Sequence, residues 1–181
     1  MEKQQKRWRA ISLFAGAGGC SLGFKNAGVD IIAAFENAEP AINTYNMNFG
    51  PGQCRKVDLG ICDFGELQKE LGLYRGEIDL IIGGPPCQAY SVAGRVRDEN
   101  GMRDDYRNYL FEHYLNVVNR YRPKLFVFEN VPGILSAAPD GTPITDLIRK
   151  GFEKIGYEII KDLRVAKVNA SDYSVPQNRE R

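Results

Sequence analysis

The stretch RAISLFAGAGGCSLGFKNAGVDIIAAF, from Arg9 to Phe35, decides the fold of this protein. Its first apolar run, Arg9–Phe14, predicts a short buried strand, and a glycine-rich turn follows it. The next residues, CSLGFKNAG, predict a helix that ends at Gly28, because glycine readily adopts the conformation that closes a helix. A second apolar run, Ile31–Phe35, predicts another strand. Two buried strands joined by a helix indicate a parallel β-α-β unit.

The same alternation continues along the chain. PAINTYNMNFG predicts a helix with Pro40 in its first turn, where proline is tolerated, and FGELQKEL predicts a shorter helix. IDLIIG (Ile78–Gly83) predicts a strand that is apolar throughout. Apolar residues three and four apart predict a helix over Leu110–Tyr121, and KLFVFE (Lys124–Glu129) predicts a buried strand. Another helix is predicted around Ile144–Ile155, and YEIIKDLRVAKV predicts a last strand.

These elements predict an α/β fold with a doubly wound, mainly parallel sheet that helices cover on both faces. Ligands of such sheets bind at the carboxyl ends of the strands. Five segments follow predicted strands, namely AGAGG, Glu36, Asp58, GPPCQ and ENV. We therefore expect them to contribute to a single site.

The length and composition are those of one globular domain. The 181 residues are 43% hydrophobic and 26% charged, with a formal net charge of +1. Contact with nucleic acid would therefore depend on local patches of Lys and Arg. The 4 cysteines include no Cys-x-x-Cys pair and there is 1 histidine, so we expect neither a metal site nor a disulfide framework. Such cysteine usage favours an intracellular location, and no stretch is long enough to cross a membrane.

The glycine turn and the acid after the second strand indicate a ligand that contains a ribose. Gly16, Gly18 and Gly19 lie between strand and helix, where glycine lets the backbone approach a ligand closely. Glu36 follows Gly16 by 20 positions, and a carboxylate there accepts hydrogen bonds from ribose hydroxyls. The turn alone does not distinguish a dinucleotide from S-adenosylmethionine.

The segment GGPPCQAYS (Gly83–Ser91) places a thiol directly after two prolines. A thiolate is a nucleophile, so Cys87 is a candidate for covalent catalysis. Pro85 and Pro86 restrict the backbone just before it. The alternative is a buried structural cysteine, and the polar residues that follow argue against it.

The segment FVFENVPG places a second acid, Glu129, at the end of another apolar strand. A carboxyl group that holds a proton in such a position can donate it to a base ring. The alternative is a carboxylate that caps the following turn.

Together these motifs resemble those of the DNA (cytosine-5)-methyltransferases. Six blocks occur in the order typical of that family and span nearly the whole chain: FAGAGG, FEN, VDLGICD, GGPPCQAYS, ENVPG and NASDYSVPQNRER. The PPCQ block and the terminal Gln-x-Arg-x-Arg signature are highly specific. The resemblance implies a Rossmann-like, S-adenosylmethionine-dependent methyltransferase domain over residues 1–181, incomplete at the C-terminus.

The resemblance also implies roles for individual residues. Cys87 corresponds to the nucleophile and Glu129 to the acid that contacts the cytosine. Arg179 and Arg181 correspond to the arginines that steady the cysteine loop and contact the cytosine carbonyl. No metal is implied. The positions that correspond to cofactor contacts are Phe14, Gly16, Gly18, Gly19, Glu36, Asn37, Asp58, Leu59, Pro86 and Leu110.

The implied reaction is methyl transfer from S-adenosylmethionine to carbon 5 of cytosine in double-stranded DNA, with S-adenosylhomocysteine as the product. It proceeds through a covalent adduct to Cys87, on a base that is flipped out of the duplex. We expect the loop SVAGRVRDENGMRDDYR to close over the DNA. The alternative is a solvated loop, since its four acidic residues nearly balance its arginines. DNA methylation of the restriction-modification kind is the implied setting, in cytoplasm or nucleoid, or in the nucleus of a eukaryote.

Members of this family continue beyond the terminal arginine block with another strand, a target-recognition domain and a final cofactor-contacting segment. We therefore expect an open sheet edge, and no efficient DNA methylation by the 181 residues alone. Truncation, a split enzyme whose second polypeptide supplies target recognition, and a degenerate gene product all stay open. So do two other functions: a tRNA cytosine-5 methyltransferase, and a catalytically inactive scaffold partner of a methyltransferase.

Overall fold

The computed structural model describes residues 6–86, 110–138 and 141–181, which divide between two compact units. The first unit comprises the chain up to Pro85 together with Asn116–Phe128. The second comprises Pro86–Leu115 together with Glu129–Arg181. The expectation of one catalytic domain over the whole chain stays a prediction.

The first unit is built on a parallel sheet. Its described strands lie in the spatial order β3-β2-β1-β4-β5, and every neighbouring pair is parallel. The chain moves outward from the central strand to one edge and then returns to the other side of the centre, so the order reverses between β1 and β4. Right-handed crossovers then put the helices of the two halves on opposite faces, as in a doubly wound fold. The strands are β1 (Arg9–Leu13), β2 (Asp30–Glu36), β3 (Cys54–Lys56), β4 (Leu80–Gly83) and β5 (Leu125–Phe128).

The helices agree closely with the apolar periodicity of the sequence. Pro40 lies in the first turn of its helix, as predicted. The side chain of Asp63 accepts hydrogen bonds from the amides of Gly65 and Glu66 and so begins the helix over FGELQKEL. The described helices are α1 (Gly19–Asn26), α2 (Glu39–Phe49), α3 (Phe64–Leu71), α4 (Leu110–Tyr121) and α5 (Ile144–Lys154). None of them is long and apolar enough to cross a membrane.

The close approach of β1 and β4 marks the point where the strand order reverses. Gly83 at the end of β4 pairs with Leu13 at the end of β1. A Cβ atom on Gly83 would collide with the carbonyl oxygen of Leu13, so only glycine fits there. Ile81 and Ile82 of β4 are fully buried, and burying an aliphatic side chain of this size stabilises a fold by about 1.5–3 kcal/mol.

Asp79 is a buried acid directly before β4. It accepts hydrogen bonds from the amide of Arg9 at 3.0 Å and from Lys124 Nζ at 2.6 Å. It therefore connects the starts of β1, β4 and β5. These hydrogen bonds lower the pKa of Asp79, and the one from Lys124 has the larger effect.

We expect Asp79→Asn to lower the free energy of unfolding at pH 7 by about 1–2 kcal/mol, since the exposed Lys124 loses a partner that water partly screens. Because the pKa of Asp79 is lower in the folded state than its unfolded value of about 3.9, this stabilisation is present above that value. It is lost as the pH falls through the folded-state pKa. Urea unfolding from pH 7 to pH 2.5 measures it, with the exposed Asp30→Asn as control. A difference between wild type and Asp79→Asn that stays constant with pH would contradict this explanation.

β5 is an edge strand, and the prediction that it is buried was wrong. Leu125 is 49% exposed, and the other three residues of the strand are half-buried. Among the described residues, β5 has one neighbouring strand, β4. Side chains at an edge are covered by neighbours on fewer sides, which explains the exposure.

The predicted last strand, YEIIKDLRVAKV, is absent from the described structure, so that prediction was also wrong. The guanidinium group of Arg149 on α5 donates to the carbonyl oxygens of residues 159–161, at 2.7 to 3.5 Å. Asp162 then begins a 3₁₀ turn over Leu163–Ala166. The carbonyl groups that a strand would offer to its neighbour therefore bind a side chain instead.

Candidate active site

The glycine turn after β1 has open space at two positions and tight packing at a third. A Cβ atom on Gly16 or on Gly19 would meet no described atom within 4 Å. A Cβ atom on Gly18 would lie 2.6 Å from the ring of Phe49 and 2.9 Å from the ring of Tyr45. Gly16 and Gly18 also have positive φ angles, of 55° and 96°, which other residues rarely adopt.

The two aromatic rings that pack against Gly18 come from one face of α2. Tyr45 and Phe49 stack with their ring centroids 4.3 Å apart. The hydroxyl of Tyr45 is hydrogen-bonded to Ser21 of α1, and Ser21 donates to Ser12 of β1 at 3.0 Å. Burial raises the pKa of Tyr45. Sequence reasoning missed this support of the turn, although two aromatic residues four apart on a helix were a signal for it.

Glu36 connects the end of β2 to the glycine turn. Its Oε2 atom accepts a hydrogen bond from the amide of Gly16 at 2.9 Å. Its Oε1 atom accepts from the amides of Asn37 and Ala38, each at 3.0 Å. A carboxylate has about four acceptor positions, so about one is left for a ligand hydroxyl. The structure thus brings Glu36 and Gly16 together, as expected, and leaves the side chain of Asn37 exposed.

Phe14 has a strained backbone at the end of β1. Its φ angle is 50°, which is an outlier for a bulky side chain. The next residue continues toward β2, since the amide of Ala15 donates to the carbonyl of Phe35 at 3.0 Å. Strain of this kind clusters at functional sites, so the conformation of Phe14 supports its place in the candidate site.

The loop after β3 carries Asp58 and Leu59 to the carboxyl ends of the strands, where Glu36 also lies. The amide of Val57 donates to the carbonyl of Glu36 at 2.9 Å. The side chain of Asp58 accepts a hydrogen bond from the amide of Gly60 at 2.8 Å, which closes a turn. Leu59 is 3% exposed and is a buried apolar residue at this end of the sheet.

The second unit brings together two of the residues that the motifs assign to catalysis. The Nε atom of Arg181 lies 2.8 Å from Oε1 of Glu129. The side chains remain 26% and 41% exposed, so each is open to a further partner. An Nη1 hydrogen bond from Arg181 to the carbonyl of Glu180, at 2.7 Å, orients the guanidinium group. The side chain of Arg179 is exposed, while its backbone amide donates to the side chain of Asn169.

The remaining predicted positions divide between the second unit and the part of the chain that is not described. Pro86 is exposed, and Leu110 is buried at the start of α4. Cys87 and the arginine-containing loop that follows it lie outside the described residues. Burial raises the pKa of Cys54 to about 11 and also raises that of Cys62, so neither thiol is activated near neutral pH.

Comparison with known proteins shows the family to which the chain belongs. Residues 8–181 match the family described as C-5 cytosine-specific DNA methylase. The Type II methyltransferase M.XorII of Xanthomonas oryzae pv. oryzae is 40% identical over 173 residues, which are 94% of this chain and 38% of that protein. M.AquIA of Picosynechococcus is 35% identical over 176 residues, which are 96% of this chain and 69% of that Type II methyltransferase.

A solved structure shows the same fold. It is an E. coli protein encoded within a prophage and provisionally described as a DNA modification methyltransferase. It is 34% identical, has a TM-score of 0.75, and aligns with 96% of this chain and 44% of its own. The chain thus spans less than half of the length of this protein and of M.XorII. The Rossmann-like α/β fold is confirmed, and the chain belongs to the family of C-5 cytosine-specific DNA methylases.

Proposed function

We propose that the chain carries the catalytic part of an enzyme that methylates carbon 5 of cytosine in DNA, with S-adenosylmethionine as the methyl donor. The observation that carries this proposal is the contact between Glu129 and Arg181 in the second unit. A scaffold protein without catalytic activity would need neither this acid nor this cation. Their pairing at 2.8 Å, with both side chains still partly exposed, suits the recognition of a polar ring.

The first unit fits an adenosyl ligand. Gly16 and Gly19 leave room beside the backbone, and Glu36 keeps about one acceptor position for a ribose hydroxyl. Phe14 and Leu59 would contact the adenine, and the glycine turn would hold the amino-acid end. When bound, S-adenosylmethionine supplies an activated methyl group on its sulfonium sulfur.

The protein's own residues make the cytosine reactive. The thiolate of Cys87 adds to carbon 6 of the ring, which breaks the aromaticity and turns carbon 5 into a nucleophile. Glu129, which takes up a proton when the cytosine binds, donates it to ring nitrogen 3 and holds the neighbouring amino group. Arg181 stabilises the negative charge that develops on the ring carbonyl. After methylation, carbon 5 loses its proton to water and the bond between sulfur and carbon 6 breaks, which restores the thiolate. Ring nitrogen 3 then returns its proton to Glu129.

The target base must leave the DNA duplex before this chemistry begins. Carbon 6 of a stacked base is shielded by its neighbours, so the nucleotide has to be flipped out, at a cost of about a few kcal/mol. Contacts between protein and DNA backbone must offset that cost. A substrate of this kind places the enzyme in the compartment that holds the DNA. We call this chain, together with any polypeptide that completes it, the complete enzyme.

The test of the proposed function is a covalent trap. The complete enzyme is incubated with S-adenosylmethionine and DNA that contains 5-fluorocytosine, whose fluorine blocks the final elimination. We expect an adduct that survives denaturation in the wild type and in the Cys62→Ser control, and none in Cys87→Ser. An adduct that persists in Cys87→Ser would place the nucleophile elsewhere. A parallel arm with 5-fluorocytosine-containing tRNA decides the substrate, since a preference for tRNA would overturn the proposal for DNA.

A further inference from the structure

We propose that Asn169 is a positioning residue, which holds the C-terminal arm in the register that places Arg181 on Glu129. The C-terminal arm is defined as residues 168–181. This inference rests on the proposed function, because it gives Asn169 a purpose in the orientation of a catalytic arginine.

The C-terminal arm folds back on itself as a short antiparallel pair. The amide of Val168 donates to the carbonyl of Arg181, and the amide of Arg181 donates to the carbonyl of Val168, both at 2.9 Å. The amide of Ala170 donates to the carbonyl of Arg179 at 2.9 Å. These backbone hydrogen bonds flank the antiparallel β-bridge between Asn169 and Glu180. The pairing brings Arg181 to Glu129.

The side chain of Asn169 joins both halves of the C-terminal arm. Its Oδ1 atom accepts from the amide of Arg179 at 3.0 Å, and from the amide of Ser171 at 3.3 Å on its own side. Its Nδ2 group donates to Oδ1 of Asn178 at 2.7 Å. One amide side chain thus contacts two consecutive residues of the opposite half, which a shifted pairing would not permit.

The register matters because successive side chains of an extended segment point to opposite sides. A slip of one residue would turn the side chain of Arg181 to the opposite side and bring that of Glu180 toward Glu129. Glu129 would then face a second carboxylate in place of a guanidinium group, which is unfavourable. Correct placement of Arg181 therefore depends on whatever fixes the register.

Apart from the backbone hydrogen bonds, few side chains of the arm can fix the register. Large side chains such as those of Tyr173 and Val175 are exposed, at 68% and 44%, and so contribute little packing. Lys167 and Glu180 form an ion pair at 2.8 Å, but both side chains are more than 40% exposed, and exposed pairs contribute little. Among the described side chains of the arm, Asn169 thus makes the most hydrogen bonds between its two halves.

The test compares Asn169→Ala and Asn169→Asp with the control Lys167→Ala in the complete enzyme. Asp keeps the acceptor for Arg179 but loses the donor to Asn178, so it should retain more activity than Ala. We expect Asn169→Ala to lower kcat about 10- to 100-fold, since small displacements of catalytic groups have effects of that size. The KM for S-adenosylmethionine and the melting temperature of Asn169→Ala should equal those of the control. Lys167→Ala itself should match the wild type in kcat, KM and melting temperature.

A double-mutant cycle shows whether Asn169 acts through Arg181. If it does, Asn169→Ala should have almost no further effect on kcat in the Arg181→Ala background. An equal loss of kcat in both backgrounds would overturn the inference, because Asn169 would then act through some other group.

An NMR measurement separates this inference from the proposed function. The Nε–H signal of Arg181, recorded on the 181-residue chain, reports its contact with Glu129 without any catalysis. We expect Asn169→Ala to shift this signal toward its position in Glu129→Gln, and Lys167→Ala to leave it in place. An unshifted signal in Asn169→Ala would refute the positioning role even if the methylation assay succeeds. A shifted signal in a protein that forms no trapped adduct would refute the proposed function alone.

Discussion

Gly18→Ala is expected to lower the free energy of unfolding by about 2–4 kcal/mol and to weaken cofactor binding at least about tenfold. The φ angle of Gly18 is 96°, which an alanine adopts only with strain. The added methyl group would also lie 2.6 Å from the ring of Phe49 and 2.9 Å from that of Tyr45. Tyr45 cannot easily withdraw, because its ring is buried and its hydroxyl is hydrogen-bonded to Ser21. The glycine turn must therefore move, and the amide of Gly16 with it.

Urea unfolding and calorimetric titration with S-adenosylhomocysteine measure the two effects. Gly23→Ala is the matched control, since Gly23 lies inside α1 and a Cβ atom added there would meet no described atom within 4 Å. That change should raise stability by about 0.5–1 kcal/mol through helix propensity and leave the titration unchanged. Adding Phe49→Leu to Gly18→Ala should restore part of the stability, because it removes one of the two contacts. Wild-type stability in Gly18→Ala would show that the packing against α2 is not tight.

Glu129→Gln is expected to slow methyl transfer by the complete enzyme about 10²- to 10⁴-fold, the range typical of a lost general acid. Glutamine keeps the shape of the side chain but cannot give a proton to ring nitrogen 3. It also removes the negative charge that holds Arg181 at 2.8 Å. Because both effects concern the cytosine, binding of S-adenosylhomocysteine should be unchanged.

Single-turnover methylation of DNA measures this rate apart from product release. The control is Glu158→Gln, an exposed carboxylate in the same unit, which should react at the wild-type rate. The two variants change the net charge equally, so a general effect of charge on DNA binding would appear in both. A rate for Glu129→Gln within about threefold of the control would remove this residue from the mechanism.

Much of the first unit could be predicted from local patterns. The helix over FGELQKEL has the predicted ends, because Asp63 caps it and Gly72 with a φ angle of 60° follows it. Apolar β-branched runs predicted β1, β2 and β4, since strands buried on both faces have that composition. Such signals lie within a few residues of each other and need no distant partner.

The two errors concern segments whose surroundings decide their state. LFVF has the composition of a buried strand, yet Leu125 lies at the sheet edge and is exposed. EIIKDL has the composition of a strand, yet Arg149 binds its carbonyl groups. Composition reports what a segment can form, while its hydrogen-bond partners determine what it does form.

By itself, the sequence determined the α/β class, the order of most elements, and the motifs that assign this chain to its family. Only the tertiary structure decided that Arg181 meets Glu129, that the amide of Gly16 reaches the Glu36 carboxylate, and that Asn169 joins two halves of the C-terminal arm. The physical reason is the separation along the sequence over which each kind of interaction acts. Propensity and periodicity act between neighbours in sequence, whereas these contacts join residues that only the folded backbone brings within hydrogen-bonding distance.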